Sequence, residues 1–283
     1  MSLKKQLVTA ARNGHLDVVK YLVEQGVNFH TRNEEALRLA AGYGHLNVVK
    51  YLIEQGANFH GYNEDALRRA ASYGHLNVVK YLVEQGADLH ADTDDEYALR
   101  RSAGNGHLAV VKYLVEQGAD LHVYNEDALK WAARYGHLNV VKYLVEQGAD
   151  LHAEDEQALS LAARYGHLDV VKYLVEQGAD PQFILDNPND YKTDVVNYVY
   201  YLTKVRPIIK KINDQIEYAP LGRFKPFPQG GVKYQENSYR ILWTRIGQEI
   251  GNAPPGHLKL LPQGSSGYQE TKEWIEKEYP ENE

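Results

Sequence analysis

The chain contains no cysteine. Neither a disulfide framework nor a thiolate metal site can form, and a reducing compartment suits it. Long apolar runs are missing as well. Nothing approaches the roughly 20 apolar residues of a membrane helix, and MSLKKQLVTAARNGH at the start has no apolar run of signal-peptide length. The expectation is a soluble, cytoplasmic protein with no membrane partner. An excess of basic residues is also lacking, since the formal net charge is −7. Residues 182–283 carry 13 basic and 13 acidic side chains, so the acidic excess belongs to residues 1–181. That balance argues against general nucleic-acid binding, which requires phosphate neutralisation. Phenylalanine (5) and tryptophan (3) are scarce, and tyrosine (22) supplies most of the aromatic surface.

What the chain has in abundance is repetition. ARYGHLNVVKYLVEQGADLH, residues 133–152, has close copies from Thr9 to Pro181. A Gly-His pair marks each copy, at Gly14-His15, Gly44-His45, Gly74-His75, Gly106-His107, Gly136-His137 and Gly166-His167. The spacing is 30 residues, with one interval of 32. A period between about twenty and fifty residues signals a solenoid.

Residues 63–89 show what one copy builds. Asn63 is placed to cap a helix, and Glu64 and Asp65 stand in its first turn, where the helix dipole favours negative charge. Ala66, Leu67, Ala70 and Ala71 follow at helical spacing. Gly74 ends this helix in the left-handed conformation. Leu76, Val79, Leu82 and Val83 form a second apolar stripe that Gly86 ends. One such hairpin buries only one side of itself, and the next copy must cover the other.

GHLNVVKYLVEQGADLH resembles the second helix and exit loop of an ankyrin repeat, and NEDALRRAASYGH resembles the first helix. The resemblance spans Leu3 to about Pro181, and the short period is similar to that of ankyrin arrays of large DNA viruses. For a chain of that kind the host cytosol is the expected compartment. The usual Thr-Pro-Leu-His opening stands here as Asp65-Ala66-Leu67-Arg68, and the segment before it is about three residues short. Stunted fingers between repeats follow, and the hydrogen bonds of the missing Thr and His must be replaced.

The fold expected is an all-α repeat solenoid, an ankyrin array of six helix-hairpin repeats over 1–182. A C-terminal helical cap or connector over 183–217 and a small duplicated α+β module over 218–283 complete it. Lys4, Lys5 and Gln6 give the first copy the polar outer face of a cap. The extra residues of the long interval fall in the acidic loop ADTDDEY, residues 91–97. An apolar stripe from Thr193 to Ile216, capped by Thr193 or Asp194, reads as a helix that Pro207 kinks. It either covers the last repeat or dimerises through a short coiled-coil seam, and Pro207 counts against the second use. The last part holds a separate duplication. APLGRFKPFPQGGVKYQE (219–236) and APPGHLKLLPQGSSGYQE (253–270) agree at 10 of 18 positions. It resembles no known family.

No catalytic, cofactor-binding or metal residues are assigned. The histidines come one per repeat at each of two places, about 10 Å from copy to copy, too far apart for shared coordination. Gly264-Ser265-Ser266-Gly267 lacks the trailing residues of a phosphate loop. His257 and Glu270 do not make an acid–base pair, because the sister copy has Arg223 in the histidine's place. The chain is read as a binding protein, not an enzyme.

In ankyrin arrays the partner usually lies along the concave face, against the fingers and first helices. Core positions hardly change between copies here, whereas that face does. It carries Tyr43, Arg69, Tyr73, Arg101, Trp131, Arg134, Tyr135, Arg164 and Tyr165, side-chain types enriched at energetic hot spots. The expected role is a protein-interaction scaffold or adaptor that grips an acidic protein segment there, with the C-terminal region contacting a second partner. In the opposing view these arginines are neutralised by Glu64, Asp65, Glu126 and Asp127. An alternative function is an array that targets a small catalytic or nucleic-acid-binding module at 218–283. Lys225, Lys233, Arg240, Trp243, Arg245 and Lys259 would serve the nucleic-acid version. The sequence does not fix an oligomeric state.

Overall fold

The computed structural model describes residues 2–90 and 97–207, and the chain divides into two compact units, Met1–Ala179 and Asp180–Glu283. The acidic loop at 91–96, residues 208–217 and the duplicated module at 218–283 lie outside the described residues. No strand occurs among those described.

The first unit is a row of helix pairs: α1 (Leu3–Arg12) with α2 (Leu16–Glu24), α3 (Glu35–Gly42) with α4 (Leu46–Glu54), and α5 (Gly61–Ser72) with α6 (Leu76–Glu84). It continues with α7 (Tyr97–Gly104) and α8 (Leu108–Glu116), α9 (Val123–Arg134) and α10 (Leu138–Glu146), then α11 (Ala153–Tyr165) and α12 (Leu168–Glu176). Each first helix packs on the first helices beside it, and each second helix on its own counterparts. The first helices approach more closely than the second ones. Alanine makes this possible: Ala40, Ala41, Ala70, Ala71, Ala132 and Ala133 are fully buried. One leucine per helix fills the space between pairs, from Leu7 through Leu37, Leu52, Leu67, Leu82 and Leu99 onward. This inter-copy burial is the core of the array, and no single hairpin owns it.

The Gly-His pair locks neighbouring copies. In α5, His75 N–H bonds to Ala70 O at 2.8 Å and Gly74 N–H to Ala71 O at 3.1 Å, closing the helix in a Schellman motif. Gly74 has φ +78°, and a methyl group on it would sit 2.6 Å from Nδ1 of His107 in the next copy. His107 in turn places Nε2 3.0 Å from Ser72 O. The same bond joins His45 to Arg12 O (2.8 Å), His75 to Gly42 O (2.9 Å), His137 to Gly104 O (3.0 Å) and His167 to Arg134 O (2.9 Å). A carbonyl only accepts, so Nε2 carries the proton in every copy.

The helix start at Asn63 differs from the sequence expectation. Tyr62, Asn63 and Glu64 all have left-handed φ, at 57°, 52° and 57°. Asn63 is therefore not a cap, and ordinary helical geometry begins at Asp65. The same three-residue left-handed turn occurs at Arg32–Glu34, Tyr124–Glu126 and Glu154–Glu156. It replaces the finger that the sequence had too few residues to build. Such backbone costs on the order of 1–2 kcal/mol per non-glycine residue, so something must hold it.

Two devices do. Before each turn, an Asn or Asp accepts the N–H two residues on: Asn28 from His30 (2.9 Å), Asn58 from His60 (3.1 Å), Asp120 from His122 (2.9 Å) and Asp150 from His152 (2.9 Å). The histidine then closes the turn by pairing Nδ1 with the glutamate four residues later. The pairs are His30–Glu34 (2.6 Å), His60–Glu64 (2.5 Å), His122–Glu126 (2.5 Å) and His152–Glu156 (2.6 Å). Glu64 also accepts the Asp88 N–H of the next copy at 3.2 Å. These contacts fill the place of the absent Thr and His.

In the first copy Ser2 caps α1 through Lys5 N–H (3.4 Å), and Lys4, Lys5 and Gln6 are exposed. The second unit contains α13 (Gln182–Asp186), a 3-10 turn at Pro188–Asp190, and α14 (Thr193–Tyr200), which runs into a π-helical turn at Tyr201–Val205. Lys192, not Thr193 or Asp194, stands at the N-cap of α14, and no side chain caps it. Helical structure continues to Pro207, the last described residue before the stretch where the kink was expected.

Candidate protein-binding face

The first helices end at the face named from the sequence. Tyr43, Tyr73 and Tyr135 are the residues that follow α3, α5 and α9, and Tyr165 closes α11. All four rings are exposed, by 45–60%. The Gly-His lock puts them there, because each stands one residue before the glycine that stops its helix.

The cations on this face fall into two groups. The first group is neutralised. Asp65 receives Arg69 Nε at 2.7 Å from its own helix and an Arg38 Nη at 2.7 Å from the preceding copy. Burial alone would raise the Asp65 carboxyl, but hydrogen bonds from Arg69 and Arg38 hold it below the usual carboxylate value. Arg100 pairs with Asp127 at 2.7 Å. Lys130, only 8% exposed, reaches Glu154 (3.2 Å), Asp127 (3.6 Å) and the Tyr124 carbonyl (3.0 Å). Arg38 likewise donates to the Asn33 and Arg32 carbonyls, at 2.9 and 3.1 Å. Arg38 and Lys130 thus brace the left-handed turns. Arg69, named as a contact residue, spends its charge on Asp65. Glu64 and Glu126 serve histidines, not the arginines the opposing view assigned to them.

The second group is held by rings. The Arg101 guanidinium lies 5.7 Å from the Trp131 ring centre and 5.7 Å from that of Tyr97. Arg134 lies 5.9 Å from Trp131, 5.7 Å from Tyr135 and 5.0 Å from Tyr165. Trp131 and Tyr135 stack at 5.8 Å. Five of the nine named residues therefore form one connected strip across three copies. Gly104 makes room for it: a methyl group there would meet Trp131 Cβ at 3.2 Å. Gly42 does the same for Arg69 and Tyr73, at 3.3 and 3.8 Å. Tyr43 stands apart under Arg12, at 4.9 Å, and Arg164 is exposed.

Sequence reasoning passed over the rings beside the fingers. Tyr62 and Tyr124 are exposed and carry Arg38 and Arg100 at 5.0 and 4.9 Å, and Arg68 lies 4.1 Å from Tyr97. Aligning the copies on their glutamates would have put Tyr62 and Tyr124 in one column. Among the described residues, no group of three or more histidine, aspartate or glutamate side chains is gathered as a metal would need. No described helix is long and apolar enough to cross a membrane.

The family pattern described as Ankyrin repeats (3 copies) matches residues 7–93, 67–155 and 99–184. The chain belongs to the ankyrin-repeat family. Among solved structures it is similar to the human ASB11 ankyrin repeat domain, at 26% identity and a TM-score of 0.56, over 62% of this chain and 84% of that one. No match was found among curated proteins.

Proposed function

We propose that the protein is an interaction scaffold whose array holds a protein segment along the first-helix face, the concave side in ankyrin arrays. Ankyrin repeats are generally protein-interaction modules. The observation that carries this reading is the strip Arg101–Trp131–Arg134–Tyr135–Tyr165. It joins rings and guanidinium groups across three copies on a face where the copies otherwise differ. Tyrosine and tryptophan give contact area at little entropic cost, and a stacked arginine keeps its in-plane N–H donors for a ligand. Residues 183–283 are assigned to a second partner, in the cytoplasm.

The test is to change Tyr73, Arg101, Trp131 and Arg134 to alanine in the full chain and compare partner recovery with wild type. Loss of a partner from a folded variant supports the face. Undiminished recovery of every partner excludes it.

A further inference from the structure

The two groups of cations on this face differ in a way that specifies the ligand. Arg38, Arg69, Arg100 and Lys130 each meet a carboxylate of the array itself. Arg101 and Arg134 meet only rings among the described residues, and the Nε of each is buried without an acceptor. A guanidinium kept out of water and left without an anion is an unfinished interaction. Aromatic faces hold it by its flat side, so its rim stays open to a carboxylate, which can accept two parallel hydrogen bonds. Both guanidinium carbons lie within 5.9 Å of the one Trp131 centroid. An extended chain, at about 3.3 Å per residue, crosses the interval between them in a few residues.

Resting on the reading that this face holds a protein segment, we propose that the segment is acidic at a defined place. Two Asp or Glu side chains, at most four residues apart, engage Arg101 and Arg134 across the Trp131 ring. The flanking rings of Tyr97 and Tyr165 cover the apolar parts of that segment. Specificity comes from the pair: one carboxylate satisfies one fork and leaves the other without an anion.

A random twelve-residue peptide library displayed on phage, selected on the full-length chain, tests this. The wild-type chain is expected to enrich peptides with two acidic residues inside a four-residue window. Replacing Arg101→Gln and Arg134→Gln together should abolish that enrichment and weaken selected peptides at least tenfold, with the unfolding curve unchanged. Arg134→Lys, which keeps the charge and loses the fork, should weaken them less than Arg134→Gln and serves if the double variant fails to fold. Enriched peptides without acidic pairs, but lost on Trp131→Ala, overturn the acidic proposal and leave the binding face standing. Peptides indifferent to Trp131→Ala overturn both. No enrichment by wild type, restored by changing Glu270, Glu273, Glu276, Glu278, Glu281 and Glu283 to Gln, would overturn the proposal by giving the face to this chain's own acidic end. No enrichment in either case overturns it too.

Discussion

The two helix rows of the array treat repetition in opposite ways. In the second row the text LNVVKYLVE is nearly constant, and its side chains are spent on neighbouring copies. Val79, Leu82, Val111 and Leu114 are fully buried. On the outside of the same row a lysine of one copy covers the tyrosine of the next. Lys20 lies over Tyr51 (5.5 Å), Lys50 over Tyr81 (5.2 Å), Lys80 over Tyr113 (5.4 Å), Lys112 over Tyr143 (5.4 Å) and Lys142 over Tyr173 (5.5 Å). Burial, with a glutamate of the preceding copy, raises each of these five phenols. The first row is constant only at its alanines and leucine. Its outward positions change from copy to copy, and the ring-held arginines stand there. A side chain that must fit an identical neighbour is fixed by that neighbour, and one that faces solvent is released from it.

The comparison can be broken at several strengths. Leu114→Ala, in the constant row, should destabilise the array by about 2–5 kcal/mol in denaturant unfolding, because the cavity opens between two copies. Gly106→Ala should cost on the order of 1–3 kcal/mol. It puts a side chain at φ +77° and 2.6 Å from His137 Nδ1. His137→Ala in the same chain should recover part of that loss, since the clash goes and the strain stays.

Glu126→Ala should cost about 1–3 kcal/mol, because its carboxylate is buried and closes a left-handed turn. The same pair carries a pH signature. The hydrogen bond from Glu126 raises His122 above its ordinary value, against a smaller opposing effect of burial, with Asp120 and Asp150 adding to the rise. Its stabilisation is complete below the unfolded value of 6.5 and fades as pH rises through the higher folded value. His107 behaves the other way, since burial lowers it despite its bond to Ser72, with His75 and His137 adding to the fall. Its contribution is lost as pH falls from 6.5 through the lower folded value. Unfolding midpoints between pH 5 and 8 for His122→Gln and His107→Gln, each against wild type, should diverge in opposite directions. The smallest effect on stability belongs to the variable row. Arg134→Gln should stay within about 0.5 kcal/mol of wild type.

Much of this organisation was legible from period alone. The Gly-His spacing located the helix pairs, and the alanine and leucine columns named the core, because both arise from local helical geometry. The left-handed turns were not legible. Asn63 and Asn125 look like caps in sequence, yet asparagine also tolerates left-handed backbone, and only the His–Glu closure decides between the two. The face was partly legible. Trp131, Arg134 and the tyrosines stood out by type, but the pairing of Arg69 with Asp65 depends on rotamers that spacing does not determine.

The central claim is that the variable first-helix row, and not the constant second row, meets the partner. A photo-crosslinking residue placed at Trp131 in one chain and at the exposed Asn139 of α10 in another tests it most directly. The account predicts a protein adduct at 131 on illumination in cells and none at 139. An adduct at 139 with none at 131 would contradict it.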